Sequence, residues 1–272
     1  MKALFAILSG IGGTLLAGEL SYQGMVKGMN APLDVVPTCF VSIIMKNLNE
    51  EKRIRTAIES ILNQSIIVNY PEFFEIILVD GGSEDASIDI AHEYPINVVV
   101  TRKGVLHQKN VGIQRAKGDI IIFADSDSIY PQYWVAKIID AFNKDPGVVM
   151  VRTPFIFEEG WFFNIFMGLS GLAMHVTTKS HGGGTAVQRI VFDEIGLFNE
   201  EEDCVYSHRV VNEEEKLFPR KVLRFGKGVY LQNNPFITTA RRNFIPSIFH
   251  ECVRNPQSKD CIYARDVGYE RF

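Results

Sequence analysis

The chain has 272 residues, of which 46% are hydrophobic and 22% are charged, a composition typical of a globular protein with a substantial core. Its formal net charge is -4, so the sequence lacks the overall basic field that nucleic-acid-binding proteins use, and we expect no nucleic-acid partner. An anionic ligand would therefore have to be held by local charges or by a metal ion.

Four cysteines are present: Cys39, Cys204, Cys252 and Cys261. None of them forms a C-x-x-C pair, and this spacing argues against a zinc site. Reduced thiols in a cytosolic compartment are the default interpretation, with a Cys252–Cys261 disulfide as the alternative.

The N-terminal segment carries the first question about membranes. Residues 3–18 contain no charged residue, but this run is shorter than the roughly 20 residues that a spanning helix needs. We expect a cytoplasmic protein with a peripheral or short anchor at a membrane surface, and a packed helix is the alternative. Residues 20–37 contain glycines and prolines without clean periodicity and are predicted to be a linker.

From residue 38 onward, β-branched apolar runs alternate with amphipathic stretches. Strands are predicted at Phe40–Met45, Glu75–Asp80, Asn97–Thr101, Asp119–Asp125 and Val148–Val151. Helices are predicted at Glu51–Asn63, Glu84–Glu93, Leu106–Lys117 and Pro131–Asn143. Because strands covered on both faces have continuous apolar sequences, this pattern predicts an α/β fold with a mostly parallel sheet flanked by helices.

The second half of the chain is less regular. Residues Trp161–Val176 are strongly apolar and aromatic, which favours a core helix slightly over a lipid-facing surface.

Acidic residues follow two of the predicted strands. Asp80 and Asp125 both fall at strand carboxyl ends, where ligands of parallel sheets collect. Asp127 lies two residues further along, and two carboxylates on one tight turn can share a hard divalent cation. Such a cation can bridge two phosphate oxygens, so the turn predicts Mn²⁺ or Mg²⁺ bound beside a nucleotide diphosphate.

Six sequence blocks in order resemble family 2 glycosyltransferases of the GT-A fold across roughly residues 38–245. The blocks are Val41–Glu51, Val79–Asp85, Lys109–Asp119, Phe123–Trp134, Gly182–Phe198 and Glu202–Arg209. The resemblance implies a single GT-A, Rossmann-like catalytic domain at 38–245, preceded by the hydrophobic segment and linker at 1–37 and followed by a tail at 246–272. It also implies an inverting transferase that moves a sugar from a nucleotide-diphosphate donor to an acceptor hydroxyl or lipid phosphate.

The same resemblance implies roles for individual residues. Asp203 would be the general base, because an alcohol is a poor nucleophile until a positioned carboxylate accepts its proton. Asp127 would be the direct metal ligand, Asp125 would contact the ribose or the metal, and Asp80 would accept a hydrogen bond from the nucleobase. The remaining implied residues are Glu50 and Lys109 on the nucleotide and Gly183, Gly184, Glu202, Arg241 and Arg242 on the acceptor or phosphate.

The sequence departs from the family pattern at several positions. Lys46 replaces a usual proline, Leu48 a frequent aromatic residue, Gly81 the second acid of the block that begins at Val79, and Val205 the second aspartate that follows Glu202. These changes bear on the nucleobase preference more than on the reaction type.

Structural roles are the alternative at each site. Asp80 could cap a helix, Lys109 could pair with an acid, and Glu202-Asp203 could begin a solvated helix. His107 and His181 fit hydrogen-bonded structural histidines. The basic residues around Arg220 and Arg241 could form a solvated face, a membrane-surface patch, or a site for a phosphate such as that of a polyprenyl acceptor.

Two other functions compete with glycosyl transfer. A nucleotidyltransferase would normally carry a glycine-rich, basic loop after the first strand, and Lys46–Asn49 is not such a loop. A non-catalytic sugar-nucleotide binder or membrane scaffold would be favoured by loss of Asp127 or Asp203, and both are present.

Overall fold

The structure of the protein is a computed structural model that describes residues 19–20, 22–158, 183–200 and 213–239, with the backbone alone at 213–216. Several predictions fall on residues outside these ranges and are not addressed by the fold. They concern residues 3–18, Trp161–Val176, His181, Glu202, Asp203, Arg241, Arg242 and the tail.

The strands of the described chain are β1 (Val41–Asn47), β2 (Phe74–Asp80), β3 (Asn97–Val100), β4 (Ile120–Asp125), β5 (Val148–Arg152), β6 (Phe155–Phe157), β7 (Thr185–Gln188), β8 (Lys227–Tyr230) and β9 (Phe236–Thr238). The helices are α1 (22–29), α2 (Ile54–Leu62), α3 (Ser65–Asn69), α4 (Ser87–Ala91), α5 (Val105–Arg115), α6 (Trp134–Lys144), α7 (Ile190–Ile195) and α8 (Glu213–Val222). A 3₁₀ turn at Pro71–Phe73 leads into β2.

The main sheet has the strand order β3-β2-β1-β4-β7-β5-β8. Strands β1 to β4 are parallel to their neighbours among themselves, β5 is parallel to β8, and β7 is antiparallel to both β4 and β5. Strands β6 and β9 form a separate parallel pair. The predicted mostly parallel α/β sheet is confirmed, and each of the five predicted strands ends within two residues of the observed one.

Strand β1 shows why the central strands have continuous apolar sequences. Val41, Ile43 and Met45 are fully buried in a cluster with α2, α3, α4 and α6. Ile44, on the opposite face, belongs to a second cluster with α5, α7 and α8. Both faces of the strand are therefore covered, and a polar residue on either side would have to be buried.

Helix α1 corrects the linker prediction for residues 20–37. Its Met25 is fully buried, and Nζ of Lys137 on α6 donates hydrogen bonds to the carbonyl oxygens of Gly28 (2.7 Å) and Met29 (3.1 Å). Periodicity did not reveal this helix because it is held by one buried side chain and by hydrogen bonds from a distant helix. None of the helices in the described ranges combines the length and the apolar character that crossing a membrane requires.

Helix α5 packs so closely on β1 that a side chain at Gly112 has no space. A Cβ added at Gly112 would overlap Cγ2 of Ile44 and lie 3.1 Å from its Cδ1, whereas a Cβ at Gly24 in α1 would meet nothing closer than 3.8 Å. Alanine is favoured over glycine inside a helix by about 1 kcal/mol. We expect Gly24→Ala to raise the free energy of unfolding by up to that amount.

Gly112→Ala should instead lower the free energy of unfolding by about 1–3 kcal/mol, because overpacking outweighs the helix propensity. Urea titration of both variants measures the difference. Equal stabilisation of the two variants would contradict the close packing of α5 on β1.

Candidate functional site

The carboxyl end of β2 is closed by a buried carboxylate. Asp80 is fully buried, and its Oδ1 accepts hydrogen bonds from the backbone N–H groups of Gly82 (2.8 Å) and Ser83 (2.7 Å). Its Oδ2 accepts from Nδ2 of Asn47 (2.6 Å) and from Oγ of Ser83 (2.6 Å). Four donors within the chain thus compensate the buried charge and fix the loop that follows β2. The contact between Asp80 and a nucleobase stays a prediction.

Further hydrogen bonds join the loop after β1 to the loop after β2. The backbone N–H of Asn49, at a positive φ of 54°, donates to Oγ of Ser83 (2.8 Å), and Oδ1 of Asn49 accepts from the N–H of Glu84 (2.9 Å). The N–H of Glu50, which is 2% exposed, donates to Oγ of Ser87 (2.8 Å). We call these two loops, residues 47–51 and 80–87, the two-loop cradle. Glu50 is therefore a buried member of this cradle at the start of α2.

The turn after β4 carries the two predicted metal ligands. We call residues 125–131 the acid turn. The backbone N–H of Asp125 donates to the hydroxyl of Tyr130 (2.6 Å), whose ring lies between Trp134 and Phe236 at centroid distances of 4.6 and 5.4 Å. Burial and the nearby charge of Asp125 hold the pKa of Tyr130 well above its usual range, so the phenol stays protonated. The aromatic anchor fixes the turn and leaves Asp127 only 9% exposed.

Lys46 and Gly183 flank the carboxylate of Asp125. Nζ of Lys46 forms an ion pair with Oδ1 of Asp125, its register partner across β1 and β4. On the other side, a Cβ added at Gly183 would overlap Oδ2 of Asp125. The structure thus brings Gly183, predicted on the acceptor side, against the acid turn. Gly184 lies behind it, where its N–H donates to the carbonyl of Phe123 (3.0 Å).

The acid turn fits a hard divalent cation that is shared with a ligand. Asp125 and Asp127 supply carboxylate oxygens, which Mg²⁺ and Mn²⁺ prefer, and the backbone of Gly183 passes directly beside the carboxylate of Asp125. Within the described ranges, no group of three or more His, Cys, Asp or Glu side chains is placed to hold a metal ion. Such cations are commonly held by one or two carboxylates together with phosphate and water oxygens, so two carboxylates suffice.

Lys109 lies on α5 and is buried beside two aromatic rings. Its side chain is 3% exposed, and its ammonium lies 5.6 Å and 5.3 Å from the ring centroids of Phe123 and Phe198. Cation–π contacts of this kind stabilise a positive charge that has lost water. The predicted contact of Lys109 with a phosphate stays a prediction.

A polar network holds the segment that leads to Asp203. Glu200 accepts hydrogen bonds from Arg102 and from Nδ2 of Asn110 (2.9 Å), and Nδ1 of His107 lies 2.9 Å from its Oε2. Asn110 also exchanges two 2.9 Å hydrogen bonds with the backbone of Phe198. Residues 198–200 are therefore anchored on α5, and His107 is hydrogen-bonded as the structural interpretation expected. This network has no local signal in the sequence, because Glu200 lies 90 residues after Asn110 and 93 residues after His107.

Comparison with known proteins decides the family. Residues 42–195, more than half of the chain, match the family model described as Glycosyl transferase family 2. The chain belongs to this family. A Bacillus subtilis protein named as a glycosyltransferase, EpsH, is 41% identical over 102 residues, which are 34% of this chain and 28% of EpsH. The chain thus spans well under half the length of that relative.

Solved structures support the fold of the glycosyltransferase. The mannosyltransferase PcManGT from Pyrobaculum calidifontis, in complex with GDP-Man and Mn²⁺, is 19% identical with a TM-score of 0.58 and covers 95% of this chain and 79% of its own. TarS of S. aureus (residues 1–349), in complex with UDP-GlcNAc, is 16% identical with a TM-score of 0.57 and covers 84% of this chain and 70% of its own. The GT-A, Rossmann-like fold is confirmed, and the family match supports the predicted glycosyltransferase over a nucleotidyltransferase.

The Glu200 network predicts a pH dependence of stability. The hydrogen bond from Asn110 and then the contact and charge of His107 hold the pKa of Glu200 below its usual value, against the effect of burial. A carboxylate with a lowered pKa in the folded state adds stability above its unfolded pKa, about 4.3 for glutamate. That contribution is lost as the pH falls through the lower folded value.

We therefore expect Glu200→Gln to be less stable than the wild type at pH 7, with the difference shrinking once the pH falls below about 4. Urea unfolding across this pH range measures it, and Glu72→Gln, at an exposed glutamate, controls for the loss of one surface charge. A difference that is constant with pH would show that Glu200 is not held as a carboxylate.

Proposed function

We propose that this glycosyltransferase transfers a sugar from a nucleoside-diphosphate sugar to an acceptor by one in-line displacement with inversion at the anomeric carbon. The observation that carries the proposal is the placement of the acid turn beside the two-loop cradle. The register pairs Asn47 with Asp80 and Lys46 with Asp125, so the carboxyl ends of β1, β2 and β4 lie at one edge of the sheet. Ligands of open parallel sheets bind at such edges.

The donor is proposed to occupy both features at once. The two-loop cradle would receive the nucleoside, since its loops are fixed by the contacts of Asp80, Asn49 and Ser83. The acid turn would receive the diphosphate. GDP-Man and UDP-GlcNAc in the two structural neighbours support this class of donor.

A divalent cation, Mn²⁺ or Mg²⁺, is proposed to assist the reaction. When bound, it supplies positive charge that neutralises the diphosphate as it leaves. Asp127 would be the direct ligand and Asp125 a second one, both on a turn that Tyr130 holds in place. A turn fixed in advance costs little reorganisation when charge develops in the transition state.

Asp203 is proposed as the general base. Its carboxylate would take the proton from the acceptor hydroxyl as the hydroxyl oxygen attacks the anomeric carbon and the bond from that carbon to the phosphate oxygen breaks. Asp203 follows Glu200, which is hydrogen-bonded to α5, by three positions in the chain. Glu202, Arg241 and Arg242 are proposed contacts to the acceptor or to phosphate oxygens.

The acceptor side of the proposal includes a membrane surface. Arg220 and Lys221 lie in the last turn of α8, and large apolar side chains nearby are exposed, Leu217 by 42% and Phe225 by 46%. Basic and exposed apolar residues together suit the surface of an anionic membrane. This observation favours a peripheral enzyme at the inner face of a membrane with a polyprenyl phosphate acceptor over one that acts on a free glycan.

Removal of one carboxylate from the acid turn tests the metal. We expect Asp127→Asn to keep the fold, because the turn is anchored through Tyr130, and to lose most turnover in a screen of UDP-, GDP- and TDP-sugars with Mn²⁺. Donor hydrolysis is the measurement, and Asp89→Asn, at an exposed position on α4, is the matched control. Full activity of Asp127→Asn in EDTA would contradict the metal-assisted mechanism.

Substitution of the base tests the chemistry separately. We expect Asp203→Asn to leave donor affinity within a few-fold and to cut transfer by roughly 10²-fold or more, the usual scale of general-base loss. Nucleotide-sugar binding by calorimetry and transfer rates by product analysis separate the two quantities. Unchanged transfer would move the role away from Asp203, with Glu202 as the next residue to substitute.

A further inference from the structure

Lys46 places a positive charge on the acid turn at a position that neither the family nor the proposed roles assign. Its Nζ forms an ion pair with Oδ1 of Asp125, and the two residues are register partners in adjacent parallel strands. The contact is therefore set by the sheet backbone and not only by the reach of a flexible side chain. The two side chains are 18% and 20% exposed, so dissolved salt screens this pair less than it screens a surface pair.

The carboxylate of Asp125 is confined on its other sides as well. The backbone of Gly183 passes so close to Oδ2 that a Cβ there would overlap it, and the N–H of Asp125 donates to the hydroxyl of the buried Tyr130. Asp125 thus has little room to move away from Lys46. The carboxylate of Asp125 is therefore the confined partner of this ion pair, and the flexible stem of Lys46 carries the other charge.

This charge changes what the acid turn offers to a cation. Asp125 and Asp127 are two carboxylates, and Lys46 adds one positive charge directly beside them. Affinity for hard divalent cations depends on the charge of the ligand set and on its rigidity.

We propose that Lys46 is a built-in counter-ion that keeps the affinity of the acid turn for divalent cations low until a nucleoside diphosphate binds. This inference rests on the proposed metal-assisted function and adds the order in which its ligands bind. The diphosphate brings negative oxygens that complete the cation site. It also offers the ammonium of Lys46 a second anionic partner, so that Asp125 is released toward the cation.

Binding of the cation and of the nucleotide is then coupled in both directions. If the nucleotide raises the affinity for the cation by some factor, the cation raises the affinity for the nucleotide by the same factor. With this coupling, the free enzyme does not hold a cation while its nucleotide-sugar site is empty. The cation enters together with the diphosphate.

Titration of Mn²⁺, followed by the loss of the free-ion signal in electron paramagnetic resonance, tests the role without any turnover. Lys46→Met removes the charge and keeps an unbranched apolar stem. We expect it to bind Mn²⁺ alone more tightly, on the order of tenfold, and to show a correspondingly smaller gain when UDP or GDP is added at saturation. Lys46→Arg keeps the charge and should behave as the wild type.

Lys144→Met is the matched control, because it removes an ammonium that pairs with Asp140 at 2.7 Å on the exposed surface of α6. It should leave Mn²⁺ binding unchanged with and without nucleotide. Circular dichroism melts of each variant establish that the fold is intact, and Lys46→Gln, which also removes the charge but keeps a polar end, replaces Lys46→Met if that variant does not fold.

The outcomes separate the inference from the function on which it rests. Equal Mn²⁺ affinity of the wild type and Lys46→Met, with the nucleotide effect intact in both, would overturn the role of Lys46 alone. If Lys46→Met instead weakens nucleotide binding in EDTA and leaves Mn²⁺ binding unchanged, Lys46 is a phosphate contact and the counter-ion role is wrong. No Mn²⁺ binding by any variant, even with nucleotide, would overturn the metal-assisted function as well.

Discussion

The candidate site depends on the parallel register of β1 with its two neighbours. Pairing β1 with β2 brings Asn47 opposite Asp80, and pairing it with β4 brings Lys46 opposite Asp125. A slip of one residue in either pairing would move these side chains to the opposite face of the sheet. The register itself is held by Ile43 and Ile44, which are buried in separate clusters on the two faces. The hydrophobic core and the polar edge are therefore specified by the same strands.

Charge at this edge is compensated in two different ways. The carboxylate of Asp80 is neutralised by hydrogen bonds from its own loop and from Asn47, which suits a permanent structural element. The carboxylate of Asp125 is paired with the ammonium of Lys46, which we propose changes partner when a diphosphate binds. Breaking the hydrogen bonds between a buried carboxylate and several fixed donors costs much free energy. A lysine in an ion pair can instead move from its carboxylate to another anion. The difference distinguishes the rigid part of the site from the responsive part.

Much of this architecture could be predicted from the sequence, because it depends on patterns of neighbouring residues in the chain. The runs at β1, β2 and β4 are largely apolar, Asp80 and Asp125 end two of these strands, and Asp127 lies two residues after β4. Long-range pairing was not predictable in the same way. Strand β7 inserts between β4 and β5 in the sheet although it lies more than 30 residues after β5 in the chain, and its four residues carry no periodicity of their own. The ion pair of Lys46 could not be predicted either, because the sequence showed only that Lys46 stands where the family usually has a proline.

The burial of polar residues was also beyond local pattern. An acid at a strand end has the same sequence context whether its carboxylate faces solvent or accepts four hydrogen bonds, so the saturated state of Asp80 required the structure. The network around Glu200 is similar, because it forms between α5 and a segment about 90 residues away. Such contacts depend on which elements the fold brings together, and no window of the sequence contains both partners.

Helix α5 connects two separate parts of the proposed site. Nε2 of Gln108 donates to the carbonyl of Asn47 in the two-loop cradle (2.7 Å), while Asn110 holds the segment around Phe198. Two residues are about 200° apart on a helix, so these side chains leave α5 on nearly opposite sides. One turn of α5, which packs closely on β1 at Gly112, thus contacts both the two-loop cradle and the segment around Phe198. An insertion or deletion in this turn would therefore disturb both the proposed nucleoside cradle and the segment that leads to the proposed base.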